Sequence, residues 1–330
     1  LARWRAGSPS GGKTACGIAE TVVFGQELVM IYDVAAFYRF IALGDLPRLR
    51  ERLLAAFVPL GLCGSLLIAT EGINGTLAGS TQAIARMLDI LAAEMGLSRD
   101  DVKFSQATDK PFDRLKVRLK REIITFNKPE ADPTQHVGSY VEARDWNDLI
   151  ADPDVTVIDT RNRYETLIGS FDGAVDPVLG TFTDFADFVQ DNLDPVRHKK
   201  IAMYCTGGIR CEKASSYMLA HGFEEVYHLK GGILKYLEEV PAAESKWHGD
   251  CYVFDRRTSV SHGLAEGGHV MCFACGFPLN DSDRADARYE EGVACPHCHD
   301  KTGADDKARY RMRQAQINER DSRQEKRTAP

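Results

Sequence analysis

The chain has 330 residues, 44% of them hydrophobic and 27% charged, with a formal net charge of -7. That length allows two or three domains, and the composition excludes collagen-like and disordered classes. No run of 18 or more apolar residues is present, so no membrane-spanning helix is expected, and the acidic balance argues against nucleic-acid binding through bulk charge alone.

Residues 1–29 are polar and Gly/Ser-rich, with no apolar stretch of signal-peptide length. They are expected to be an irregular leader ahead of Met30, a mis-assigned start being preferred to an organelle transit peptide. Residues 30–127 read as one α+β domain. A strand opens at Met30. The run LPRLRERLLAAFVPLG places Leu49, Leu53, Leu54 and Phe57 at helical spacing and closes at Gly61. CGSLLIAT and the segment around GTLAG are predicted strands, joined through Glu71-Gly72-Ile73-Asn74-Gly75, where Asn-Gly is a turn signal. A second helix runs from Ser80 or Thr81 to Gly96, with Ile84, Met87, Leu88 and Leu91 on one face. FDRLKVRLKREIITF alternates and is taken as the last strand. The order β-α-β-β-α-β is ferredoxin-like.

Residues 128–134, KPEADPT, are a polar linker, and residues 135–242 form the next domain. Buried strands are predicted at VTVID (155–159) and KKIAMYC (199–205), with helices at DFADFVQDNL and EKASSYMLAHG. A last strand, a Gly-Gly turn and a helix follow in EEVYHLKGGILKYLEE. Strands alternating with helices imply a mainly parallel sheet covered on both faces. Residues 247–300 are Cys-rich with little periodicity, and 301–330 form a polar basic tail, partly helical or disordered.

Nine cysteines, an odd number that includes two Cys-x-x-Cys pairs, do not fit a secreted disulfide framework. They fit a reducing, cytoplasmic setting in which thiols serve metal binding or catalysis. Cys205 follows an apolar strand and precedes a helix, where open α/β sheets place their ligands. Thr206, Gly207, Gly208 and Ile209 let the backbone curl so that N–H groups converge near the sulfur, and Arg210 adds a positive charge. These effects favour thiolate over thiol and point to nucleophilic chemistry at sulfur, phosphorus or a disulfide. The bland alternative, a buried strand-end cysteine behind a Gly-rich turn, does not explain why strand, glycines, arginine and helix start coincide. Cys211, six residues on, either resolves an oxidised or persulfidated Cys205 or simply packs.

The segment YCTGGIRCEKASSYML resembles the active-site segment of rhodanese-like sulfurtransferases. Asp159, Arg161 and Glu165 in VIDTRNRYE, the glycines of IGSFDGAVDP and the turn in LKGGILKY resemble the family's other signatures in the same order. Together with EGINGTLAG and RLKVRLKREI upstream and a Cys-rich tail, the chain resembles the tRNA uridine-34 hydroxylase family, over about residues 30–301. The resemblance implies a rhodanese domain after a ferredoxin-like one and tRNA as partner. It further implies molecular oxygen as co-substrate, 5-hydroxyuridine at the wobble position as product, and Cys205 as the active-site cysteine working through a persulfide. Asp159, Arg161 and Cys211 are supporting candidates. No dinucleotide-type glycine fingerprint is present, so neither flavin nor nicotinamide is expected, and the sequence does not show how oxygen is activated.

Two further patterns bear on function. Cys272-x-x-Cys275 and Cys295-x-x-Cys298 lie 19 residues apart, a spacing that makes a structural zinc ion a candidate. Disulfides or free thiols are the alternatives, and Cys251, His297 and His299 are substitute ligands. In the RLKVRLKREI strand, Lys116, Arg118 and Lys120 should share one face, a cationic stripe able to meet phosphates or simply a solvated face. Residues 307–330 carry eight Lys/Arg against three Asp/Glu, a net of +5 that could add RNA affinity. Three readings therefore stand: a wobble-uridine hydroxylase, a small-molecule thiosulfate or persulfide sulfurtransferase, and a zinc-dependent binding module with a vestigial rhodanese domain. The basic strand and the extra domains favour the first over the second, and the intact Cys205–Arg210 loop disfavours the third. The sequence leaves the oligomeric state open.

Overall fold

The computed structural model describes residues 20–24 and 27–328, with side chains described for residues 31–320 and 322. The chain divides into two compact units, residues 1–123 and 124–330.

The first unit contains β1 (Glu20–Phe24), β2 (Glu27–Phe40), α1 (Leu46–Phe57), β3 (Cys63–Ala69), β4 (Gly72–Gly79), α2 (Thr81–Met95), β5 (Lys103–Ala107) and β6 (Leu115–Leu119). Strands β5, β2, β4 and β3 lie side by side and antiparallel, the ferredoxin-like order. Period-two alternation sends Phe37, Leu66, Ile68, Ile73 and Leu77 to one face, where Leu53 and Phe57 of α1 and Met87 and Leu91 of α2 cover them. Helix α2 starts and stops where its sequence says. The Ser80 side chain accepts from the Ala83 N–H at 3.2 Å, and Gly96 ends it at φ 66°.

Two expectations are corrected. The strand that completes the ferredoxin-like order is β5, in VKFSQAT, not the RLKVRLKREI run. That run supplies β6, an additional edge strand parallel to β3, and it ends at Leu119 rather than continuing to Phe126. Alternation alone does not say which of two neighbouring strands pairs with β2 and which with β3; the backbone edges those two strands leave open decide it. The leader is likewise not irregular throughout. Val22, Val23 and neighbours form β1 against the N-terminal part of β2, because two β-prone runs close in sequence satisfy each other's backbone groups. Residues 1–19 lie outside the described residues.

The second unit begins with β7 (Ser139–Val141), α3 (Ala143–Ala151), β8 (Val155–Asp159), α4 (Arg163–Thr166), β9 (Gly169–Phe171) and α5 (Phe185–Asn192). It continues with β10 (Lys200–Tyr204), α6 (Ile209–Ala220), β11 (Glu225–Leu229) and α7 (Gly232–Glu239). The sheet order is β7-β11-β10-β8, all parallel. Along β10 the alternation splits two cores. Ile201, Met203 and Cys205 enter the one shared with α5 and α6, while Ala202 and Tyr204 enter the one shared with α3 and α7. Burial on both faces is why this strand reads as an unbroken apolar run.

The linker expectation also needs correction. Phe126 is fully buried and stacks on Phe182 at 4.7 Å between ring centroids, and Ala131 is buried with it. The 128–134 segment is polar in composition, but its Ala131 and the preceding Phe126 anchor it to the second unit. Residues after 242 belong to that unit too. β12 (Trp247–Gly249) pairs with β9, and Trp247 meets Phe171 edge-on at 5.1 Å. Three small elements follow: the hairpin of β13 (Cys251–Tyr252) and β14 (Ser259–Val260), the pair β15 (Val270–Met271) and β16 (Pro278–Leu279), and α8 (Asp281–Ala285). The polar tail is a single helix, α9 (Ala304–Thr328). None of the described helices is long and apolar enough to cross a membrane.

Candidate active site

Cys205 leaves the end of β10 and is fully buried. Gly208, at φ 98°, turns the chain into α6, a backbone region glycine enters without cost. The turn aims the Gly208 N–H at the Cys205 sulfur, 3.1 Å away. The N–H groups of Arg210 and Cys211 and the Cys211 thiol also donate to it. Burial by itself raises a thiol's pKa. Here the Cys211 thiol, the Arg210 charge and the converging N–H groups outweigh burial and bring Cys205 far below the ordinary range. Cys211 shifts the opposite way. Burial, then the hydrogen bond and charge of Cys205, keep its proton on, so it acts as a donor to the thiolate. Its sulfur also touches the Thr160 hydroxyl at 3.6 Å.

A consequence is measurable. The rate of Cys205 alkylation by iodoacetamide, read by peptide mapping across a pH series, should have its midpoint below about pH 7, against about 8.5 for a free cysteine. The sign follows from the lowered pKa: the thiolate persists as pH falls and is lost only on passing the folded value. A midpoint at 8.5 or above would contradict the geometry.

Arg210 brings the positive charge the sequence offered, and its guanidinium is itself held by a carboxylate. It forms a two-pronged pair with Glu165, at 2.6 and 2.7 Å, with both side chains buried. Thr206 joins them, its hydroxyl 3.2 Å from both the Glu165 carboxylate and an Arg210 nitrogen. The Cys205–Arg210 loop is thus tied to α4 through one carboxylate. Sequence reasoning placed Glu165 in a signature but gave it no role. The signal was there: an arginine in a buried loop requires a buried counter-charge.

A second buried pair sits behind the first. Arg161 is fully buried, and its guanidinium grips the Asp159 carboxylate, with Nε 2.9 Å from Oδ1. Its remaining N–H groups reach the carbonyls of Glu165 at 3.2 Å and Gly169 at 2.6 Å. It lies 5.0 Å from the centre of the Trp247 ring. Asp159 and Arg161 therefore fix the backbone that carries Glu165.

The Gly-Gly turn closes the loop from the other side. The Ile233 N–H donates to the Cys205 carbonyl at 2.9 Å and the Leu234 N–H to the Thr206 carbonyl at 3.0 Å. Gly232 has φ 68°, and a Cβ there would stand 2.4 Å from the Cys205 carbonyl oxygen. Only glycine lets α7 approach this closely.

Outside this loop, Cys272, Cys275, Cys295 and Cys298 have their sulfurs all within 4.8 Å of one another. Two sulfurs 2.3 Å from a tetrahedral zinc lie about 3.8 Å apart. The Cys275–Cys295 and Cys295–Cys298 separations are both 3.7 Å. That spacing fits a tetrathiolate ion site. The group does not include the substitutes weighed from sequence. His297 stacks on Phe277 at 3.8 Å and bonds Asp283, His299 bonds Asp300, and Cys251 is buried beside Tyr252. In the first unit, Lys116 and Arg118 are exposed on β6, alternating with buried Val117, and Lys120 is exposed one residue past the strand.

The comparisons agree with this architecture. Residues 32–123 match the UPF0176 acylphosphatase-like domain and residues 142–239 the rhodanese-like domain. Curated relatives named tRNA uridine(34) hydroxylase include one from Deinococcus radiodurans, 55% identical over 86% of this chain and 94% of its own length. Another, from Agrobacterium fabrum, is 53% identical over 90% of this chain and 95% of its own. A third, from Mesorhizobium japonicum, is 54% identical over 86% and 92%. At that identity and coverage, with the thiolate loop and both domains in place, the chain belongs to the tRNA uridine(34) hydroxylase family.

Proposed function

We infer that this protein is a cytoplasmic tRNA-modifying enzyme that hydroxylates the wobble uridine at C5, with molecular oxygen as co-substrate and Cys205 at its chemical centre. The observation that carries the reading is the Cys205 thiolate held in a buried ring of N–H donors, in a chain more than half identical to named hydroxylases over most of its length. In this reading Cys205 carries a persulfide whose outer sulfur takes the anion position above the loop. Arg210, through Glu165, holds the loop's shape and Cys211 keeps the thiolate charged. Asp159 and Arg161 act as positioning residues. Lys116, Arg118 and Lys120 supply phosphate contacts, and the four C-terminal cysteines hold a structural zinc ion.

Mass spectrometry of tRNA nucleosides from cells lacking the gene, complemented with wild type or Cys205→Ser, tests it. The serine is close to isosteric, so the fold should persist. Hydroxyuridine derivatives should return with wild type only. A wobble uridine unchanged in every strain would sink the hydroxylase reading and turn attention to thiosulfate sulfur transfer.

A further inference from the structure

Between β13 and β14 the chain makes a tight, internally bonded loop. The Val253 N–H donates to the Thr258 carbonyl at 2.9 Å and the Thr258 N–H to the Asp255 carbonyl at 3.1 Å. Asp255 and Arg257 form a two-pronged pair whose side chains are 1% and 5% exposed. Thr258 sits at φ 64°, a strained position for a β-branched residue, and is buried. A loop with this much internal bonding is rigid, yet it turns outward a phenylalanine that is 56% exposed, Phe254, with exposed Arg256 two residues on.

Behind Phe254 runs an aromatic ladder. Its ring meets Tyr252 edge-on at 5.2 Å, and Tyr252 meets Tyr164 edge-on at 5.1 Å. Tyr164 immediately precedes Glu165, the carboxylate that locks the catalytic loop. On the other side the Tyr252 hydroxyl donates to the Gly276 carbonyl, next to Cys275. The exposed ring is therefore braced against both the catalytic helix α4 and the four-cysteine knuckle.

We propose that Phe254 and Arg256 form an RNA-contact point, Phe254 stacking on an unpaired base that flanks the reacting uridine and Arg256 meeting an adjacent phosphate. The inference rests on the tRNA reading above. The reacting uracil must come to Cys205, at the Tyr164 end of the ladder, so the ring two aromatic steps away serves a neighbouring base. A rigid aromatic face beside a cation suits single-stranded RNA, whose bases all offer a π-face and whose backbone is anionic.

The test uses the full chain and a synthetic anticodon stem–loop with uridine at the wobble position. Phe254→Ala should weaken binding by about 5- to 150-fold, and Phe254→Trp should retain it. Arg256→Ala should lower the salt dependence of binding by about one charge. An abasic site at the nucleotide before or after the wobble position should cost wild type a similar factor and cost Phe254→Ala nothing further. Equal affinity of wild type and Phe254→Ala, or no coupling at either flanking nucleotide, overturns the proposal. So does a wild-type dimer that Phe254→Ala makes monomeric with RNA affinity unchanged, which would assign the ring to a contact between copies. Hydroxylation by wild type is measured alongside. If wild type neither binds nor modifies the RNA, the tRNA reading itself fails; if it does both and the Phe254 variant matches it, only this inference fails.

Discussion

Removing the Glu165 carboxylate, by Glu165→Ala, is expected to cost about 3–5 kcal/mol of stability and nearly all activity. The substitution leaves the buried Arg210 guanidinium without its counter-charge and Thr206 without its acceptor. For a unit of this size the loss should appear as a fall of roughly 6–20 °C in melting temperature. Exchanging both partners for methionines, Glu165→Met with Arg210→Met, should restore much of the stability, since the desolvation of two charges disappears with them. Activity should not return, because the loop then lacks the charge and the tie that shape it. A single variant that melts with wild type, or a double variant that regains full activity, would show that the pair is not what holds the site. The same pair predicts an acid sensitivity. Burial raises the Glu165 pKa, but the charge and hydrogen bonds of Arg210 outweigh that and lower it. Its contribution is therefore complete above the unfolded carboxyl value of about 4.3. It is lost as pH falls from there through the lower folded value.

Stripping metal from the four-cysteine site should have an effect of comparable or greater size, since structural zinc contributes on the order of 10–16 kcal/mol to the folding of small knuckles. The local core shows why. Its buried members are Cys272, Leu279, Ala294, Cys295 and Cys298, so three of five are prospective ligands and little apolar surface remains without the ion. Helix α9 depends on the same knuckles. Arg313 donates to the Phe273 carbonyl at 2.9 Å and to the Gly292 carbonyl at 2.8 Å, and Arg311 pairs with Glu290. A strong chelator should release one zinc per chain, and circular dichroism should then show helix loss, with α9 melting from its anchor. Metal-free protein with an unchanged spectrum and melting curve would mean that the thiols close this region without an ion.

Both results concern residues visible in the sequence, though the partnership of Glu165 with Arg210 was not. Cys205 and its loop were legible because everything that makes the thiolate lies within seven consecutive residues: a strand end, a positive-φ glycine and the first turn of a helix. The two Cys-x-x-Cys pairs were legible for the same reason, since each fixes two ligands by local geometry. Helix α2, with its own cap and terminator, needed no tertiary help.

Other features depended on segments distant in the chain. Glu165 meets Arg210 across 45 residues, and the Gly232 turn meets Cys205 across 27, so neither contact leaves a periodic trace. Strand β5 took the place beside β2 because that strand had an edge left to pair, a matter of hydrogen-bond supply rather than alternation. Phe254 looked like any apolar residue in a weakly patterned stretch until a buried Asp255–Arg257 pair turned it outward. The sequence by itself determined the Cys205–Cys211 loop, the two Cys-x-x-Cys turns and the α/β class, because short-range spacing and chirality dictate these. Only the tertiary structure decided which charges lock the loop, which strand completes the first sheet and which aromatic faces solvent. Those outcomes turn on burial and pairing between distant segments, where the cost of an unpaired charge or an unmet backbone group selects the partner.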